Sequence, residues 1–130
     1  MFLELAEGIH RIDGTDVEVR ATGMSEFYFV SRDTGHPLVE GFAEHDFFMW
    51  YDPARDRILP MLATTLGAPD WNAILTSGVV SWGTEGGPAQ AAVERIAGHG
   101  AYRICQVRLA EFCTNPVARI FSLRLLGLLG

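Results

Sequence analysis

Five acidic side chains in the stretch 31–60 are the residues of this chain best suited to chemistry. They are Glu40, Glu44, Asp46, Asp52 and Asp56. Two carboxyl groups about 5 to 10 Å apart can cleave a glycosidic bond, one acting as acid and the other as base or nucleophile. However, Asp52 and Asp56 lie in sequences typical of turns, and Glu40 and Glu44 flank loops. We therefore expect solvated carboxylates here and no catalytic residue.

The same stretch holds side chains of the types that bind zinc or iron. They are His36, Glu44, His45 and Asp46. Their spacing does not match the His-Glu-x-x-His pattern of a metal-binding helix. His36-Pro37 is typical of a turn that leads into a strand. We expect no metal site.

The remaining nucleophiles and the glycine-rich segment carry no recognisable motif. Neither Cys105 nor Cys113 lies in a Gly-x-Cys-x-Gly elbow, and the serines at 77 and 81 also lack a nucleophile elbow. We expect both thiols to be reduced, with Cys105 buried in a strand. The stretch 76–87 matches neither a phosphate-binding loop nor a dinucleotide fingerprint, so the sequence predicts no cofactor.

Aromatic residues form the densest cluster, with Phe47, Phe48, Trp50 and Tyr51 almost contiguous. If this segment is a strand, Phe48 and Trp50 share one face, and Phe47 and Tyr51 share the other. One face would enter the core, and the other would meet a helix, a partner subunit or a sugar. If a carbohydrate binds, the expected stacking residues are Trp50, Tyr51 and Trp82, although packing in a core or interface is favoured.

Length and charge exclude several classes of protein. The 130 residues fit a single domain, 1–130, which is too short for a complete (β/α)₈ barrel of about 250 residues. The formal net charge is -6 and no basic run is present, which argues against a nucleic-acid partner. No signal peptide or membrane-spanning segment is recognisable, so we expect a cytoplasmic protein with no membrane contact.

The first half of the chain is predicted to be rich in β-structure. Strands are expected at 2–5, 9–12, 17–21 and 27–30, and Asp13-Gly14 is a strong signal for a hairpin turn between the second and the third. Two more strands are expected at 58–66 and 71–75, separated by a turn at 67–70.

The second half is predicted to alternate helix, strand and helix. Residues 88–97 have proline at the first position, glycine after the last, and small apolar residues at helical spacing. A strand covered on both faces is expected at 102–109, with Ile104 on one face and Cys105 and Val107 on the other. Asn115 and Pro116 then begin a final helix, in which Arg124 interrupts the apolar face. Together these elements predict an α/β fold in which helices pack on a mixed sheet.

The order of several motifs resembles the C-terminal region of bacterial family 2 type glycoside hydrolases of the β-galactosidase and β-mannosidase kind. The matching segments are Gly-His-Pro-Leu-Val-Glu-Gly-Phe at 35–42, Asp-Phe at 46–47, Trp-Tyr-Asp at 50–52, Gly-Ala-Tyr-Arg-Ile-Cys-Gln at 100–106 and Asn-Pro-Val-Ala at 115–118. In those enzymes a domain similar to class I glutamine amidotransferases follows the catalytic barrel. The resemblance implies the C-terminal half of such a flavodoxin-like domain, without the βα units that carry its nucleophile.

This resemblance implies a non-catalytic accessory domain with a structural or oligomerising role in carbohydrate degradation. The expected partners are further copies of the chain or the catalytic part of a glycoside hydrolase. Two alternatives stay open. One is a carbohydrate-binding module that uses exposed aromatic residues, and the other is a small hydrolase that acts on glycosides through the carboxylates between Glu44 and Asp52.

Overall fold

The computed structural model describes residues 2–3, 5–21, 30–32, 34–76 and 90–127. Nine strands are present in these ranges: β1 (Phe2–Leu3), β2 (Gly8–Ile12), β3 (Thr15–Ala21), β4 (Tyr51–Asp52), β5 (Arg57–Ile58), β6 (Thr64–Gly67), β7 (Asn72–Thr76), β8 (Gln90–Ala97) and β9 (Gly100–Cys105). The α-helix α1 spans Pro116–Leu125. Short 3₁₀ helices occupy Pro37–Val39 (η1), Glu44–Phe47 (η2) and Leu109–Phe112 (η3).

Seven of these strands form one mixed sheet in the order β1-β9-β8-β6-β3-β2, with β7 also paired to β8. β1 runs parallel to β9, and every other pair in this sheet is antiparallel. β4 and β5 form a separate two-stranded hairpin. The mixed sheet agrees with the expected fold, but among the described residues α1 is the one α-helix, so the fold is mostly β.

The sheet has a hydrophobic core on each face. The larger core lies between the sheet, α1 and the three 3₁₀ helices, and its largest buried side chains include Phe47, Phe121 and Met61. The smaller core on the other face contains Trp71 and Ile104. Ile104 therefore faces one core while Cys105 and Val107 face the other, as the alternation in this strand predicted.

Several elements agree with the sequence. Asp13 and Gly14 join β2 to β3 with φ angles of 50° and 73°, as a two-residue hairpin turn requires. At the other end of the chain, the Asn115 side chain accepts hydrogen bonds from the backbone nitrogens of Val117 and Ala118, and Pro116 opens the helix. The expected strand at 27–30 lies outside the described residues except for Val30.

The helix predicted at 88–97 is wrong, because the part that the structure describes is strand β8, Gln90–Ala97. This strand lies inside the sheet, with β9 on one side and β6 and β7 on the other. Both its faces are covered, so the residues from Ala91 to Glu94 are all buried and no polar alternation marks the strand. Gly98, with φ of 60°, belongs to the turn between β8 and β9 instead of capping a helix.

The single strand expected at 58–66 is interrupted. Arg57 and Ile58 belong to the β4–β5 hairpin, and the main sheet resumes only at Thr64. Between them Leu59, Met61 and Leu62 are buried in the larger core. No helix in the described ranges is both long enough and apolar enough to cross a membrane.

Candidate interaction surface

The acidic residues of the central stretch mostly stabilise local backbone structure. The Asp46 carboxylate accepts a hydrogen bond from the Ala43 nitrogen at 2.7 Å, at the start of η2. The Asp52 carboxylate accepts one from the Ala54 nitrogen at 3.0 Å and lies 3.3 Å from the Arg55 guanidinium. Such contacts are typical of acidic residues in turns. They do not form a pair of carboxyl groups that face a common cleft.

The other two hydrogen-bonded carboxylates are also held by their own chain. Glu44 accepts a hydrogen bond from the Ser31 hydroxyl at 3.1 Å, and Asp56 accepts one from the Tyr51 hydroxyl. Glu40 is exposed, and its backbone carbonyl accepts a hydrogen bond from Arg124 at 2.8 Å. Four of the five carboxylates are thus engaged in local contacts, Glu44 and Asp46 in η2 and Asp52 and Asp56 in the β4–β5 hairpin.

The four side chains considered as metal ligands do not converge either. Within the part of the chain that the structure describes, no three His, Cys, Asp or Glu side chains lie close enough to hold a metal ion. His45 is exposed and 3.7 Å from Asp46, whereas His36 belongs to a separate, buried polar network.

That buried network joins His36, Glu94 and Arg103. His36 Nδ1 accepts a hydrogen bond from the Leu38 nitrogen at 3.1 Å, so Nε2 carries the proton and donates to Glu94 Oε1 at 3.0 Å. Arg103 Nε donates to Glu94 Oε2 at 2.6 Å. Both carboxylate oxygens of Glu94 are therefore occupied, which is the usual state of a buried charge in a stable fold.

The sequence analysis missed Glu94 and Arg103, although the sequence contains a signal for the pair. The two residues are directly opposite each other in the β8–β9 hairpin. They are equally distant from the two-residue turn at Gly98 and His99. Once that turn is identified as a hairpin turn, counting outward from it places Glu94 beside Arg103.

The aromatic cluster divides differently from the expected alternation, because Phe47 belongs to η2 and Met49 adopts a φ of 47°. Phe47 and Trp50 therefore both enter the larger core, where the Trp50 ring packs on Phe112 at a centroid distance of 5.0 Å. Trp50 is 3% exposed and its Nε1 donates to the Asp46 carbonyl at 2.7 Å. Trp50 thus packs in the core, the role that the sequence favoured over stacking on a sugar.

Tyr51 remains a surface residue, and Trp82 lies outside the described residues. Tyr51 belongs to an exposed apolar cluster that we call the hairpin patch, formed by Phe48, Met49, Tyr51 and Ile58. Their exposed fractions are 47%, 48%, 49% and 43%. Tyr51 and Ile58 are directly opposite in the β4–β5 hairpin, so their side chains share one face. Asp52 and Arg57 occupy the other face.

The carboxylate of Asp56 adds a negative charge to the hairpin patch. Because this carboxylate accepts the Tyr51 hydroxyl proton in a hydrogen bond, it raises the pKa of Tyr51 above its usual value. Desolvation and the charge of Asp52 act in the same direction. Among the described residues Asp56 has no cationic partner.

A second apolar surface lies between η3 and α1. It is a groove of about 450 Å³, which we call the helix groove, lined by apolar residues that include Leu109, Phe112, Leu123 and Leu126. Arg119 is the one charged residue of its lining, and it forms no ion pair with any residue that the structure describes. The exposed thiol of Cys113 also lies at the groove. The spacing of apolar residues in α1 alone could not reveal this feature, because η3 supplies the other wall.

Comparisons of this chain with models of protein families, with curated proteins and with solved structures give no match. The arrangement of the described residues is therefore the basis on which a function can be argued.

Proposed function

We propose that this chain is a non-catalytic accessory domain of the glycoside hydrolase kind. Its role is to join copies of the protein into a larger assembly. The observation that carries the proposal is a contrast between two groups of residues. The polar groups able to do chemistry serve the fold, whereas the apolar surface that needs a partner is concentrated in the hairpin patch and the helix groove.

The first part of this contrast concerns chemistry. General acid–base catalysis needs a carboxyl group or imidazole that can reach a substrate and change its protonation state there. In the described residues Glu94 and His36 are buried and hydrogen-bonded to each other, and the carboxylates of Asp46 and Asp52 accept backbone hydrogen bonds that stabilise turns. If these groups left their present contacts, backbone nitrogens or a buried charge would lose their hydrogen-bond partners. A structural role therefore explains them better.

The second part of the contrast concerns the surface. Four large apolar side chains, on the short β4–β5 hairpin and in the residues just before it, are each more than two fifths exposed. Together they present more apolar area than an isolated exposed residue does. The helix groove between η3 and α1 is a second apolar surface. Clusters of this kind commonly mark sites where another protein binds.

The relation to a class I amidotransferase-like domain is part of the same proposal. Its support is the parallel pairing of β1 with β9 and the helix α1 that follows β9 in the chain. Parallel strands with covering helices are the unit from which flavodoxin-like domains are built. The resemblance of the motifs at 35–42 and 100–106 supports the same relation.

The proposal is tested by measuring mass and turnover on the same sample. We expect light scattering to show an assembly larger than one chain, whose mass falls on dilution. We also expect no hydrolysis of chromogenic β-galactosides or β-mannosides between about pH 4 and pH 8, where carboxylate pairs operate. A single chain at every concentration would contradict the assembling role. Turnover that disappears in Asp46→Asn would identify a hydrolase instead.

A carbohydrate-binding role is the second candidate, favoured by the half-exposed Tyr51 ring with the Asp56 carboxylate beside it. An aromatic face and an adjacent hydrogen-bond acceptor can together hold a sugar. We expect calorimetric titration with galactosides or mannosides to show binding that Tyr51→Ala weakens at least about tenfold, a loss of about 1.4 kcal/mol. Tyr51→Phe keeps the ring and serves as the control. Absence of heat at millimolar sugar would exclude this role.

A further inference from the structure

The hairpin patch is an exposed apolar surface that carries one charge without a cationic partner among the described residues. Tyr51 and Ile58 share a face of a hairpin whose strands are only two residues long each, and Phe48 and Met49 lie just before it. The Asp56 carboxylate lies on the Tyr51 side of the hairpin, because it accepts a hydrogen bond from the Tyr51 hydroxyl. Burial of this surface is favourable against an apolar groove that also offers a positive charge to pair with Asp56.

The helix groove has these complementary properties. Its volume of about 450 Å³ is in the range of sites that enclose small ligands, so it has room for large side chains. Leu123 and Leu126 are exposed apolar residues on its α1 side. The unpaired Arg119 guanidinium provides a positive charge, although the whole chain carries a net charge of -6.

The two surfaces are neighbours on one molecule, and η3 connects them. Trp50, at the base of the hairpin, packs on Phe112 of η3, and Phe112 also lines the groove. The Arg55 side chain of the hairpin turn lies 3.1 Å from the Glu111 carboxylate of η3. A two-fold axis that passes near η3 could therefore place each hairpin against the groove of the other copy, since two-fold interfaces bring the same two surfaces together twice.

We propose that two copies of this chain associate by exchanging these surfaces: the hairpin patch of each copy occupies the helix groove of the other, with Asp56 facing Arg119. This inference rests on the proposed function, because it assigns the assembling role to named surfaces. The occupant is a second copy because the hairpin patch has what the groove can bind. Its apolar side chains match the apolar lining, and the Asp56 carboxylate can pair with Arg119. The contact buries the exposed apolar residues of both surfaces and pairs two charges that are unpaired within one copy.

The test uses one variant of each surface and a control that is equally exposed. Tyr51→Ser combined with Ile58→Ser removes the apolar face of the hairpin, and Arg119→Glu places a negative charge opposite Asp56. We expect each to raise the dimer dissociation constant at least about tenfold in analytical ultracentrifugation, because central interface residues dominate binding. Ile9→Ser removes an exposed apolar side chain on β2 at the far edge of the sheet, and should leave the dissociation constant unchanged.

Mixing the two defective variants provides the sharpest measurement. The mixed pair retains one intact contact, between the unaltered hairpin of one variant and the unaltered groove of the other. We therefore expect equimolar mixing to give more dimer than either variant gives alone. All the altered side chains are at least partly exposed, and thermal unfolding of each variant verifies that it folds.

Three outcomes would overturn the inference. If the native chain dimerises and the variants dimerise equally well, another surface forms the dimer and the proposed assembling role survives without this contact. If mixing gives no additional dimer, the hairpin and the groove do not meet each other. If the native chain is a single chain at every concentration, both this inference and the assembling role fail.

Discussion

Tyr51 and Asp56 show how a single hydrogen bond sets the properties of an exposed site. Asp56 adopts a φ of 50°, a left-handed conformation that Asp tolerates better than most residues. This conformation places its carboxylate within reach of the Tyr51 hydroxyl in the adjacent strand. The hydrogen bond to the Asp56 carboxylate stabilises the neutral phenol of Tyr51. Loss of the phenol proton would break this bond, so the pKa of Tyr51 is raised.

We therefore expect Asp56→Asn to lower the pKa of Tyr51 towards the ordinary value of about 10. The phenolate absorbance of the protein, measured as a difference from Tyr51→Phe, follows this titration. The control is Asp13→Asn, since Asp13 has the same φ of 50° in another hairpin turn but pairs with Arg95. It should leave the curve of Tyr51 unchanged. An unaltered midpoint in Asp56→Asn would show that the carboxylate does not control the phenol.

The sign of the associated stability effect follows from the raised pKa. The hydrogen bond from the neutral phenol stabilises the folded chain at pH values below the pKa of an unfolded tyrosine. This contribution is lost as the pH rises through the higher pKa of the folded state. Asp56→Asn should remove part of this pH dependence at alkaline pH. Its size is small because Tyr51 is exposed.

At the scale of elements, the sequence predicted best where a local interaction determines the structure. The Asp13-Gly14 turn needs only two residues that accept positive φ, and the start of α1 needs only Asn115 and Pro116. These features form in the same way wherever the segment lies. They are therefore readable without knowledge of the surrounding fold.

β8 shows where this approach fails. Ala92, Val93 and Ile96 have a spacing that fits a helix, and small apolar residues fit a buried strand equally well. Whether the segment forms a helix or a strand depends on neighbours distant in sequence, because β6 and β7 flank one side of the strand and β9 the other. The hairpin patch was only partly predictable for a local reason. Alternation separated Trp50 from Tyr51 but grouped Phe48 with Trp50, whereas the η2 geometry and the φ of Met49 leave Phe48 exposed.

At the scale of the whole molecule, one polar network joins elements from three parts of the chain. His36 precedes η1, Glu94 lies on β8, and Arg103 lies on β9. Arg103 also donates to the carbonyls of Arg124 and Leu125 at 3.2 Å and 2.9 Å, at the C-terminal end of α1. A cation at this end satisfies free carbonyl groups and interacts favourably with the helix dipole. The network therefore fixes α1 and η1 relative to the sheet.

Removing the cation from this network should destabilise the whole fold. In Arg103→Met the carboxylate of Glu94, a residue that is 8% exposed, keeps only its hydrogen bond to His36. Breaking a buried ion pair by removing one partner costs about 3 to 5 kcal/mol, and we expect about 3 kcal/mol because Arg103 is partly exposed. Urea unfolding followed by tryptophan fluorescence measures this loss.

Two further variants separate the buried charge from the simple loss of a side chain. Arg20→Met makes the same change in the exposed Glu18–Arg20 pair of β3, where water screens both groups, so its effect should be much smaller. Adding Glu94→Gln to Arg103→Met removes the unpaired charge and should recover part of the lost free energy of unfolding. If Arg103→Met costs no more than Arg20→Met, or if the second change recovers nothing, the network does not hold α1 to the sheet through buried charge. The packing of Phe121 and Leu125 would then be the interaction that positions the helix.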